Sequence, residues 1–89
     1  MKISSTKKFR KNFQKRIPLN SSLEKKYKAR VCLFLKNPND RELYNHQLSG
    51  KKKGFSAFSV TGDYRVVYQK IGNNEVVFFD VGTHNQVYK

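Results

Sequence analysis

Two residues in the last third of the chain have side chains suited to phosphate or proton chemistry, and they stand one strand apart. Arg65 lies within Tyr64-Arg65-Val66-Val67-Tyr68, and His84 ends Gly82-Thr83-His84. A guanidinium keeps its charge at any ordinary pH and can hold two oxygens of one anion at once. An unperturbed imidazole titrates near about pH 6.5, so it can give or take a proton near neutrality. Each has a plainer reading: an ion pair of Arg65 with Asp63, Glu75 or Asp80, and a hydrogen bond from His84 to the C-terminal tail. A third cluster, Lys51-Lys52-Lys53, sits between Gly50 and Gly54. It reads either as a solvated loop or as a salt-dependent contact to a phosphate backbone.

These residues need a frame, and Phe55–Tyr88 supplies one. Three runs rich in Val, Phe and Tyr are parted by Thr61-Gly62-Asp63 and Gly72-Asn73-Asn74. That pattern predicts a three-stranded antiparallel meander, with turn residues that tolerate positive φ. In the middle run, alternation puts Tyr64, Val66 and Tyr68 on one face and Arg65, Val67 and Gln69 on the other. The Tyr/Val set suits a core, so Arg65 is expected on the uncovered face. The last run, Glu75–Gly82, is apolar at nearly every position, as a central strand covered on both sides would be. Pairing about the Gly72–Asn74 turn sets Arg65 opposite roughly Asp80–Val81, within a few residues of His84.

The first half reads as cover for the sheet. Met1–Ser4 is a short edge strand. Thr6 caps a helix to about Arg16, whose Phe9, Phe13 and Ile17 form one stripe among basic residues, and Pro18 stops it. Ser21 and Glu24 form a capping box for a second helix to about Lys36. Leu23, Tyr27, Val31, Phe34 and Leu35 keep its 3.6-residue period, and Cys32 reads as a buried small hydrophobe. Asn37–Asp40 ends it. Arg41–Gly54 is a loop pinned by Leu43 and Leu48. The expected fold is α+β, in the order β-α-α-β-β-β, with a two-helix hairpin on one face of a mainly antiparallel, twisted sheet.

Eighty-nine residues make one small domain, residues 1–89, that buries only about 60–65% of its unfolded surface. The net charge is +13. Residues 1–53 hold sixteen Lys/Arg against three Asp/Glu, whereas residues 54–89 hold three of each. The excess therefore lies entirely in the helical half, and it points to a polyanion or an acidic partner. The single cysteine excludes an internal disulfide and a Cys-based metal site. Met1–Arg16 is basic but lacks the apolar segment of a signal peptide, and no stretch reads as a membrane span, so a cytoplasmic location is expected.

Taken in order, His46-Gln47-Leu48-Ser49-Gly50, Tyr64-Arg65-Val66-Val67-Tyr68, Gly82-Thr83-His84 and Val87-Tyr88 resemble the RelE/ParE superfamily of type II toxin–antitoxin toxins. The Gly-Thr-His ending looks most like the YafQ-type ribosome-dependent ribonucleases. The resemblance covers essentially the whole chain, and order, spacing and length carry it rather than any single motif. It implies cleavage of messenger RNA in the ribosomal A site, without metal or other cofactor, by attack of the RNA's own 2′-hydroxyl on the adjacent phosphate. It also implies an acidic antitoxin partner. By resemblance, Arg65 clamps the transition state, His84 is the general acid and Tyr88 stacks on or orients the substrate. The plainer reading of Tyr88 is a tyrosine packed against the sheet edge. The positions that supply the general base in some relatives read Ser56, Ala57, Phe58 and Ser59, none of them a base. Asp63 and His46 are the substitutes. Two other classes stay in view: a ParE-like toxin that acts on DNA gyrase and cuts nothing, and a basic RNA- or ribosome-binding module.

Overall fold

The structure, a computed structural model, describes residues 1–88. Thr6 separates the first two elements, strand β1 (Lys2–Ser5) and helix α1 (Lys7–Arg16). Its hydroxyl accepts from the Phe9 N–H at 3.0 Å, which satisfies one of the open donors of the first turn. Ser21 does the same for helix α2 (Ser22–Lys36), accepting from the Glu24 N–H at 3.1 Å. The reciprocal half of the expected capping box is replaced. The Glu24 carboxylate accepts from the Asn20 N–H at 2.9 Å, because the chain enters the helix through a left-handed Asn20 at φ 59.

Five strands form one sheet in the order β1-β5-β4-β3-β2. The remaining strands are β2 (His46–Gln47), β3 (Ser56–Ser59), β4 (Tyr64–Ile71) and β5 (Glu75–Thr83). β1 runs parallel to β5, and every other pairing is antiparallel. The stretch expected as a plain loop thus contains an edge strand, with His46 opposite Ala57 and Gln47 opposite Ser56. A one-turn helix, α3 (His84–Val87), follows β5.

The hairpin of α1 and α2 covers one face of the sheet. Phe9, Ile17 and Phe34 from the helices meet Phe58, Val66, Tyr68, Val76, Phe78 and Val81 from the strands, with Leu43 fully buried at the rim. Phe34 is the hub: it stacks on Phe58 at 4.7 Å and meets Tyr68 edge-on at 5.0 Å. Its direction explains two departures from the sequence pattern. With about 100° per helical residue, Cys32 falls on the far side of α2 from Phe34, and Leu35 falls a quarter-turn away. Both are exposed, so Cys32 is not a core residue.

The two meander turns also differ from each other. Gly72 takes φ +68, as a Gly-Asn-Asn turn allows, but Gly62 has no positive φ. The Thr61 hydroxyl holds that first turn instead, accepting from the N–H groups of Asp63 at 3.2 Å and Tyr64 at 3.1 Å. Among the described residues no helix is long and apolar enough to cross a membrane.

One irregularity decides what the second face carries. From Ile71↔Glu75 to Tyr68↔Phe78 the β4–β5 ladder is regular, but Val67 pairs with Asp80, and Phe79 is passed over. The extra residue is a β-bulge. It shifts the register by one, so that Arg65 pairs with Gly82 rather than Val81. It also inverts the alternation. Val76 and Phe78 face the helices before the bulge, and Val81 does so after it. Asp80 and Gly82 therefore join Arg65 and Val67 on the opposite face, since directly paired residues share a side of the sheet.

Candidate active site

Arg65 opens β4 on this second face, between Ser59 of β3 and Gly82 of β5. The carboxylates offered as its partners are either engaged by other groups or distant. Asp80 is buried and already bonded: Asn12 donates to it at 2.8 Å, Arg16 at 3.3 Å, and the Lys8 ammonium lies 3.8 Å away. Glu75 sits at the far end of β5, opposite Ile71. Among the described residues no carboxylate reaches Arg65 within ion-pair distance. The side chain is nonetheless half-buried, and its Nε is both buried and without a hydrogen-bond partner.

His84 owes its position to the start of α3. The Thr83 hydroxyl accepts from the Gln86 N–H, and the Gln86 Oε1 accepts from the Thr83 N–H at 2.8 Å, a complete capping box. The His84 N–H donates to the Asp63 carbonyl at 3.2 Å, which ties the helix to the β3–β4 turn beside Arg65. One turn later, Tyr88 meets the imidazole edge-on, ring centroids 4.6 Å apart. Val87 is buried against Ala57 and Val67, with Leu48, Phe55 and Tyr88 packed around them. The face opposite the helical hairpin is therefore partly roofed by α3 and the Leu48 loop. Among the described residues the Tyr88 hydroxyl is the second buried side-chain group without a partner. Burial pushes its pKa up and the Arg65 charge pulls it down, with burial winning, so the phenol stays a proton donor at neutral pH.

Two adjoining hollows use these side chains. One, of about 750 Å³, is lined by Tyr44, Asn45, His46, Ser59, Gly62 and Arg65. The other, of about 480 Å³, is bounded by His46, Lys51, Lys52, His84 and Tyr88 together with residues 47–49. His46 forms the wall common to both. Its Nδ1 lies 2.8 Å from the Tyr44 carbonyl oxygen. A carbonyl can only accept, so Nδ1 bears the proton, and in the neutral ring Nε2 keeps its lone pair. That is the tautomer a base requires.

The other sequence candidates fall outside this group. The Asp63 side chain is exposed and lines neither hollow; what Asp63 contributes is the carbonyl that holds His84. Lys53 turns to a third hollow, with Lys70 and Phe55. Tyr44 and Asn45, by contrast, reach the Arg65 hollow although nothing in the sequence marks them. A single tyrosine in a polar loop has no periodicity to read. Among the described residues, no three His, Cys, Asp or Glu side chains gather as a metal site would need.

A two-helix hairpin over a five-stranded, mostly antiparallel sheet places the chain in a fold class shared with solved YafQ and YoeB/ParE toxins. The chain belongs to the YafQ family within it: the profile described as "Bacterial toxin of type II toxin-antitoxin system, YafQ" matches residues 1–89. The fold is similar to that of YafQ from E. coli strain BL21(DE3), with a TM-score of 0.77 and 23% identity over 98% of this chain and 97% of that one. It is also similar to the YoeB/ParE toxin from Agrobacterium tumefaciens, with a TM-score of 0.76 and 16% identity over 94% and 99%. A metal-bound toxin from Helicobacter pylori gives a TM-score of 0.74 and 26% identity over 99% of both chains. YafQ in the E. coli DinJ–YafQ complex gives 0.73 and 23% over 98% and 97%. No curated protein sequence gives a significant match.

Proposed function

We propose that this toxin, acting as one domain, stops translation by cutting messenger RNA on the ribosome, using the RNA's 2′-hydroxyl as the nucleophile. The observation that carries the reading is the meeting of two unpartnered groups, Arg65 Nε and Tyr88 OH, with two imidazoles around adjoining hollows. Such an arrangement matches what the reaction needs. His46 Nε2 takes the proton from the 2′-hydroxyl as its oxygen attacks the neighbouring phosphorus. Arg65 faces the extra negative charge of the five-coordinate phosphorane, with Tyr88 donating to one of its oxygens. His84 protonates the departing 5′-oxygen. The products are a 2′,3′-cyclic phosphate and a 5′-hydroxyl, and the proton taken at one imidazole balances the one given at the other. Lys51 and Lys52, beside His84, suit the flanking phosphates. Asp63 is the weaker base candidate because its side chain lines neither hollow.

Message ends mapped in cells expressing the chain test this reading. Wild type should leave discrete ends within translated codons. His84→Ala should lower cleavage by about 10²–10⁴-fold, the usual share of a general acid. His84→Gln, which keeps the shape but not the titrating group, should be as inactive. Ribosome binding should persist in both. Full cleavage by a folded His84→Ala chain would remove this mechanism and leave the fold untouched.

The reading also requires a partner that silences the toxin. E. coli YafQ has been crystallised with DinJ. For this chain the partner is an antitoxin whose toxin-binding segment is acidic, matching the +13 surplus. Both act where ribosomes are, in the cytoplasm.

A further inference from the structure

Tyr44 stands at the lip of the Arg65 hollow and is 72% exposed; among the described large hydrophobic residues only Leu19 is more open to solvent. Among the described residues it takes part in none of the aromatic pairs that fill the core and the second face. Its backbone is left-handed, φ 48 and ψ 39, a conformation that bulky residues avoid. Two bonds hold it there. The Tyr44 N–H closes a short 3₁₀ turn, Arg41–Leu43, onto the Arg41 carbonyl at 3.3 Å, and the Tyr44 carbonyl accepts from His46 Nδ1 at 2.8 Å. The same residue thus offers a free aromatic face to the hollow and fixes the imidazole in its wall.

The company of that ring indicates what would cover it. Beside it in the hollow stand Arg65, whose Nε has no partner among the described residues, and the His46 imidazole, whereas the Asn45 amide is already bonded to Pro38 and Tyr68 and the Ser59 hydroxyl to Thr61. A flat, edge-polar ring attached to an anion fits that set, and this is the description of a nucleotide. We propose that Tyr44 is a stacking platform for the RNA base next to the phosphate held by Arg65. The proposal rests on the reading of the site as a messenger-RNA nuclease. It makes the loop a coupling device: the residue that receives the base also orients the group that deprotonates its ribose.

Two substitutions separate the ring from the backbone. Asn tolerates left-handed φ, so Tyr44→Asn keeps the carbonyl in place for His46 and removes the ring. Tyr44→Phe keeps the ring. Each is assayed on ribosomes programmed with a defined message, and on the same message made uncleavable by a 2′-deoxy sugar at the cut, with 2-aminopurine at either flanking base. Tyr44→Asn should lower kcat/KM by about 5–150-fold, the range that loss of one stacked base corresponds to. It should also abolish the quenching of 2-aminopurine on one side of the cut. Tyr44→Phe should restore both to within about threefold. Wild-type cleavage and quenching retained by Tyr44→Asn would overturn the proposal. So would an equal loss in Tyr44→Phe, which would assign the effect to the hydroxyl. An intact RNA response with a weakened antitoxin complex would place Tyr44 on a protein interface instead. If wild type cuts no message at all, the nuclease reading itself fails and takes this one with it.

Discussion

Arg65 and Arg16 lie at the same end of the sheet and show two uses of one side chain. Arg16 joins Asp80 at 3.3 Å and the Val81 carbonyl at 2.9 Å, so its charge and the buried carboxylate compensate each other. Arg65 is half-buried with an unbonded Nε and no carboxylate within reach among the described residues. A partly desolvated cation in that state opposes folding. The cost is understandable if the charge is kept open for an anionic substrate. Replacing it should then help the fold and harm the function. Arg65→Met should raise stability by roughly 0.5–1.5 kcal/mol, seen as a melting temperature higher by about 2–10 °C, while message cleavage is lost. A lower melting temperature would make Arg65 a structural residue and undercut its assigned role. The exchange Arg65→Lys should not rescue cleavage, since an ammonium cannot present two parallel donors to one phosphate.

At the scale of elements, the site depends on a bulge and a one-turn helix that are too short to announce themselves. Caps and periodicity made α1, α2 and the meander legible: Thr6, Ser21 and the Phe9–Phe13–Ile17 stripe mean the same thing in sequence and in space, because each acts over one or two turns. The face carrying Arg65 was legible too, from alternation in β4. The bulge was not, since Val76-Val77-Phe78-Phe79-Asp80 is apolar enough to pair in either register. Without it Gly82 would not sit beside Arg65. The roles of Tyr44 and the exposure of Cys32 were equally hidden, one lacking a pattern and the other set by which way Phe34 points. Gly82 shows how closely these short parts fit. A Cβ there would lie 2.6 Å from Gln86 Oε1 and 2.8 Å from Arg16 Nη1. Both must shift: moving Gln86 breaks the cap of α3, which carries His84, and moving Arg16 loosens its bonds to Asp80 and the Val81 carbonyl. Gly82→Ala should therefore cost at least about 1–2 kcal/mol, the scale of a lost cap, and should lower cleavage even at equal folded fraction. Equal activity at equal folded fraction would show that α3 does not need its cap. The helical hairpin offers a separate check that is independent of the site. Burial against Phe13, ring centroids 4.7 Å apart, pushes the Tyr27 phenol from 10.0 up to about 12. The folded state thus holds that proton more tightly than the unfolded chain. The resulting stability is complete below pH 10.0 and drains away as pH climbs toward about 12. Tyr27→Phe should flatten this alkaline limb in urea titrations; an unchanged slope would mean the ring is solvated.

For the molecule as a whole, the charge imbalance has a geometry. The chain measures 32 × 29 × 23 Å and carries a net +13. The Debye length at physiological salt is about 8 Å, so charges on opposite sides of the molecule are largely screened from one another. The surplus as a whole can draw the toxin toward a polyanion, but the strength of the bound state should follow the few cations close to the phosphates. Lys51 and Lys52 share a hollow with His84 and Tyr88, whereas Lys53 lies in the neighbouring one with Lys70. The salt dependence of ribosome or RNA binding can count them. Each phosphate contact to a single strand contributes about 0.7 to the slope of log K against log salt concentration. Replacing Lys51 and Lys52 together with Ala should flatten that slope by about 1.4, and adding Lys53→Ala should bring the total to about 2. The double variant should also cut more slowly at physiological salt and recover at low salt, because what is lost is attraction rather than a proton donor. If the slope is unchanged, the three lysines only solvate their loop, and the anion path must run from Arg65 toward another part of the surplus.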